Sequence, residues 1–152
     1  MGKNSKNVDT ALLELKSLCR SSIEKARVDV IIAEYSYKKN VANARMNNNE
    51  LYSILHLTRC LDSSLRLFLE LYSILRGQHS MGDYLKGLTN HTEASINKLP
   101  ENLRVRFQSK IVDQRNRYMH SAGQFPNRRE VGDMENDVCS CLQSVLALST
   151  VK

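Results

Sequence analysis

Within the stretch QRNRYMHSAG, Gln114 to Gly123, residues Arg115, Asn116, Arg117 and His120 crowd two guanidiniums, an amide and an imidazole together. These are the groups that phosphodiester cleavage uses. An imidazole titrating near neutrality can take a proton from a ribose 2′-hydroxyl or give one to the leaving 5′-oxygen. A guanidinium stabilises the charge that builds on the phosphorane oxygens, in a fixed fork geometry. An amide orients its neighbours or holds a phosphate by hydrogen bonds. This chemistry requires no metal and no cofactor. The same residue types also suit a helix C-terminus, where Arg and His favour the negative pole of the dipole. Position in the fold separates the two readings.

The surroundings are basic. Residues 101–130 hold seven Lys or Arg (Arg104, Arg106, Lys110, Arg115, Arg117, Arg128, Arg129) against Glu101, Asp113 and Glu130, a net +4 of the chain's +6. Such a concentration fits a polyanionic partner, here RNA, with Arg104, Lys110, Arg117, Arg128 and Arg129 as phosphate contacts. Facing the start of a capped helix, it also fits a phosphate site, because a helix N-terminus offers free N–H groups.

The elements that must position these residues read as helices throughout. Apolar residues recur in steps of three and four at Leu12, Leu15, Cys19, Ile23, Ala26, Val30, Ala33, Tyr37 and Val41, which predicts one long first helix burying that stripe. Asn47 to Glu50 breaks it. Leu51, Ile54, Leu55, Thr58, Leu61, Leu65, Phe68, Tyr72 and Leu75 form a second stripe ending at Gly77 as a C-cap, so the two helices make an αα-hairpin. Arg76 to Gly87 reads as a mobile connection with a short helix from Asp83. Pro100 suits the first turn of a third main helix to about Asn116, carrying Leu103, Phe107 and Ile111. Asn127 and Glu130 form a capping-box start for the last helix, which buries Val131, Met134, Val138, Cys141 or Leu142, Val145 and Leu148. The expected architecture is all-α, a single domain over 1–152, an up-and-down bundle of four or five helices.

In that frame the stretch ends the third helix and opens the loop before the fourth. Five residues of continuous helix turn Arg115 and His120 about 140° apart. Unwinding before Gly123 would let the imidazole swing back beside the guanidinium.

RNRYMH resembles the Arg-polar-x-x-x-His signature of HEPN domains, the helical ribonuclease family of bacterial toxins, anticodon nucleases and CRISPR effectors. Arg115 matches the arginine, Asn116 the polar residue and His120 the histidine. A small all-α bundle with the motif between its last two long helices is similar to the family as well. The resemblance implies a metal-independent endoribonuclease leaving a 2′,3′-cyclic phosphate, with Arg115, Asn116 and His120 as catalytic residues. It also implies a homodimer with both motifs in one cleft, and restraint by an antitoxin or regulatory protein in toxin or phage-defence systems. In toxins paired with nucleotidyltransferases a tyrosine often follows the histidine by two; here that position is Ala122.

The alternative is a non-catalytic helical module whose basic face docks nucleic acid or an acidic partner. His56, His79 and His91 read as packing, surface or helix-end residues, and Asp62 or Glu70 could orient Arg115. The absence of a Gly-rich phosphate loop and of HExxH disfavours P-loop and zinc enzymes. Cys19, Cys60, Cys139 and Cys141 read as reduced, mostly on apolar stripes, and Cys139-x-Cys141 lacks the paired spacing of a zinc site. No apolar run approaches the ~20 residues of a membrane span. Asp9, Glu14 and Lys16 interrupt the only early apolar stretch, and Lys6 spoils a myristoylation match, so a cytoplasmic protein is expected.

Overall fold

A computed structural model describes residues 7–45, 50–120 and 125–150, and these form helices and short connections. The helices are α1 (Val8–Leu18), α2 (Ser22–Arg45), α3 (Glu50–Leu71), α4 (Met81–Asn90), α5 (Glu101–Phe107), α6 (Gln114–His120) and α7 (Arg128–Leu146). A π-helical turn, Gln108–Asp113, joins α5 to α6, and a 3₁₀ turn, Ala147–Thr150, follows α7. Backbone angles at Gln108 and Gln114 stay helical, so 101–120 runs as one rod. The described residues therefore make six rods, all-α as expected but more than four or five.

The first extra rod comes from a break at Cys19, which is extended (φ −72°, ψ 143°). A capping box explains it. Ser21 Oγ accepts from the Glu24 N–H at 3.1 Å, while Glu24 Oε1 accepts from the N–H groups of Arg20 and Ser21 at 2.8 and 3.1 Å. The break overturns the expected register. Val28, Ile31 and Tyr35 face the core, whereas Ile23, Val30 and Tyr37 are 75%, 58% and 68% exposed.

The second extra rod is α4, whose N-cap is Ser80, accepting from the Asp83 N–H at 3.3 Å. It begins ahead of Asp83 and occupies much of the predicted mobile connection. α3 also stops earlier than the Gly77 cap. Ser73 takes the left-handed conformation (φ 58°), Ser73 N–H donates to Glu70 O and Ile74 N–H to Leu69 O at 2.8 Å. That is a Schellman stop with serine where glycine is usual.

α3 is the central rod, packed on α2, α7, α4 and α1, while α1 also packs on α7 and α2. Its buried set, including Ile54, Leu57, Leu61, Leu65 and Phe68, meets Val138, Leu142 and Val145 of α7 in one core. Buried hydroxyls on α3 are satisfied locally: Thr58 Oγ1 donates to Ile54 O at 2.9 Å and Ser64 Oγ to Cys60 O at 2.8 Å. α2 and α3 run antiparallel, shown by Arg27–Glu70 at 2.7 Å and Arg59–Glu34 at 3.5 Å. The hairpin is as expected; its tip at Asn47 to Asn49 lies outside the described residues.

His56 sits in that hairpin, stacked on Tyr35 and Tyr52 with centroids 5.6 and 6.3 Å away. It is buried, and its Nδ1 has no hydrogen-bond partner among the described residues. Burial, aided by Lys38 and Lys39, pulls its pKa down to about 4 from 6.5. The folded state thus holds a neutral ring that the unfolded chain protonates first. Its contribution is full above pH 6.5 and is lost as pH falls from 6.5 towards 4, on the order of 3 kcal/mol in all. Denaturant unfolding at pH 7.5 and 4.5 checks this: His56→Phe should shed that part of the acid sensitivity. Equal sensitivity in the two proteins would contradict it.

Candidate active site

The motif rests on a helix that does not unwind. α6 runs past the expected end near Asn116 and stays helical through His120, so over these residues the Arg115 and His120 side chains leave the rod about 140° apart; 121–124 lie outside the described residues. Phe107, Ile111 and Tyr118 are the buried residues of the rod, spaced four and seven apart on one helical face, and Arg115 lies to the side of that face. Arg115 emerges half-buried at the rim of a cleft. Gln108 Nε2 donates to Asp113 Oδ1 at 2.9 Å across the turn.

That cleft, about 1030 Å³, lies where α6 and α5 approach α3 and α4. Arg115, Asn116 and Arg104 line it from the rod, Arg59 and Asp62 from α3, and His79 and Lys86 from around α4. Burial raises the Asp62 carboxyl above its ordinary range, against a pull from Arg115, Arg66 and Arg59. Asp62 is therefore the acid beside Arg115. Glu70 is not: it accepts two hydrogen bonds from Arg27 at 2.7 and 2.9 Å and pairs with Arg66. Arg104 is committed to Glu101 through its Nε at 3.0 Å.

A second cleft of about 470 Å³ opens on the other side of the rod, against α7. Arg106, Lys110 and Arg117 face Glu130, Asp133 and Asp137 across it. Arg117 lies over the Tyr118 ring at 5.2 Å and 3.8 Å from Glu130. Burial raises Asp137, partly offset by Lys110 and Arg106. At the start of α7 the capping box is complete: Asn127 Oδ1 accepts from the Glu130 N–H at 2.8 Å, and Glu130 Oε1 accepts from the Asn127 N–H at 2.9 Å. A carboxylate thus occupies the helix start where a phosphate was expected. The Asn127 N–H and Arg117 hold Glu130 below the usual carboxylate range.

The expected site residues therefore divide. Arg115, Asn116 and Arg104 share the larger cleft; Lys110 and Arg117 share the smaller. His120 is exposed at the end of the rod and lines neither; Arg128 and Arg129 are exposed on the first turn of α7. Ala122 lies outside the described residues. Sequence reading missed Arg59, Lys86 and the cleft-facing His79, which come from segments far from the motif and carry no local pattern. His91 is a helix-end residue as expected: its Nδ1 accepts from the Glu93 N–H and its Nε2 lies 3.0 Å from Asn97 O. Among the described residues the cysteines are buried without disulfides, and no group of His, Cys, Asp and Glu could hold a metal ion. No helix among them is long and apolar enough to cross a membrane. No family model matches the chain, and neither the curated proteins nor the solved structures give a match.

Proposed function

We propose that the protein is a metal-independent endoribonuclease of the HEPN type, a toxin or phage-defence effector acting in the cytoplasm. The observation that carries the reading is the cleft at Arg115: a guanidinium and the neighbouring Asn116 amide face solvent among further cations, on an all-α bundle. RNA fits that cleft through phosphate contacts, with Arg115 stabilising the phosphorane charge and Asn116 holding a phosphate oxygen. His120 transfers the proton. Because His120 stands at the rod's end and in-line cleavage uses both a base and an acid, two copies meeting at this end would complete the site. An antitoxin or regulatory protein covering the same cleft would restrain it.

The competing reading is a non-catalytic module that binds nucleic acid or an acidic partner. The divergence of Arg115 and His120 on one continuous helix favours it.

Incubating the purified protein with RNA in excess EDTA separates the two. The expected products carry 2′,3′-cyclic phosphate and 5′-hydroxyl ends, at a rate unchanged by chelator. Cleavage that vanishes with EDTA and returns with magnesium would overturn the mechanism.

A further inference from the structure

The solvent face of α2 carries an apolar stripe of its own. Val28, Ile31 and Tyr35 point inward, yet Ile23, Ala26, Val30, Ala33 and Tyr37 point out, and all five are exposed. Their spacing is 3, 4, 3, 4, the a and d positions of a seven-residue repeat with Ile23, Val30 and Tyr37 at a and both alanines at d. A stripe at this spacing matches the seam by which paired helices pack. The seam runs about 21 Å.

We propose that this seam is an interface with a second copy of the chain, the two α2 helices packing antiparallel about a two-fold axis. Size complementarity points to that arrangement. Antiparallel packing sets a against d, so Tyr37 meets Ala26 of the second copy and Val30 meets Ala33, large against small in every central layer. Parallel packing sets Tyr37 against Tyr37 and alanine against alanine, which crowds one layer and empties the next.

Charge selects the same solution. The flanking e positions are Arg27 and Glu34, which face each other with opposite sign in the antiparallel pair. There Asp29 meets the neutral Ser36. In a parallel pair Asp29 would oppose Glu34 of the second copy, two like-charge contacts by symmetry. Arg27 keeps Glu70 at 2.7 Å and Glu34 keeps Arg59 at 3.5 Å within the chain, so the cross-pairs extend existing networks. Residues 22–39 carry four Lys or Arg (Lys25, Arg27, Lys38, Lys39) and three acids (Glu24, Asp29, Glu34), so this face of a +6 chain is close to neutral towards its copy. The seam is separate from the motif: α2 packs on α1 and α3, while the motif-bearing rod packs on α3, α4 and α7.

Oxidative cross-linking combined with light scattering tests the register. Ala26→Cys with Tyr37→Cys should form a covalent dimer, since those positions meet across the axis. Neither single variant should, because each lies about 16 Å from its own copy. The native cysteines are buried and give a low background. Val30→Glu should abolish the cross-link, halve the wild-type mass and weaken association at least about 100-fold by placing two carboxylates in an apolar seam. Helicity should be unchanged, because Val30 faces solvent in the single chain. No cross-link from the double variant, a cross-link from Tyr37→Cys alone, or one that survives Val30→Glu would overturn the proposal. A dimer joined only at the motif would give the first of these results and leave the ribonuclease reading intact.

Discussion

His120→Ala is expected to lower RNA cleavage by about 10²–10⁴-fold, the range that one general acid–base group supplies. The side chain is exposed on the last turn of α6, so its removal leaves the packing untouched. Unfolding stability should stay within ~0.5 kcal/mol of wild type, which keeps a catalytic loss distinct from a folding loss. The measurement is single-turnover cleavage together with denaturant unfolding of the same preparations. His79 supplies the critical comparison, because it is the imidazole that lines the Arg115 cleft. If His79→Ala abolished cleavage and His120→Ala were neutral, the motif histidine would not be the proton carrier.

Arg115→Ala is expected to cost on the order of 10²–10³-fold in the chemical step, as for loss of a positioned donor to developing negative charge. Arg117→Ala should behave differently. Its guanidinium lies over Tyr118 and near Glu130 in the other cleft, so its loss should weaken RNA binding modestly, more at low salt than at high. Rate constants at saturating RNA, against binding measured at two salt concentrations, separate the two effects. A neutral Arg115→Ala beside an inactive Arg117→Ala would move the site to the α7 side of the rod.

Local signals in the sequence carry much of this fold. The last helix starts at its predicted cap because Asn127 and Glu130 satisfy each other's backbone within four residues, and the stripe from Met134 to Leu148 then has one register. The same Ser-x-x-Glu signal is present at Ser21 and Glu24, but the apolar period runs straight through it. Periodicity alone cannot tell a seam facing the core from one facing solvent, so Ile23, Val30 and Tyr37 read as core. The α3 stop was hidden differently. Ser73 adopts a left-handed angle that glycine would have announced, and Gly77 four residues later drew the boundary instead.

The candidate site was legible only along the rod. Arg115 and Asn116 stood out by spacing, but their neighbours Arg59, Asp62, His79 and Lys86 reach the cleft through tertiary packing of α3 and α4. Residues 114–120 are helical with Tyr118 buried, where the Ser-Ala-Gly that follows in the sequence suggests an earlier stop.

The central claim is that the Arg115–His120 motif cleaves RNA. Its most direct test is end-labelled RNA incubated in EDTA with wild type, Arg115→Ala and His120→Ala in parallel, with fragment ends identified chemically. The account predicts fragments ending in 2′,3′-cyclic phosphate from wild type and none above background from either variant. Intact RNA in all three lanes, or equal cleavage in all three, would contradict it.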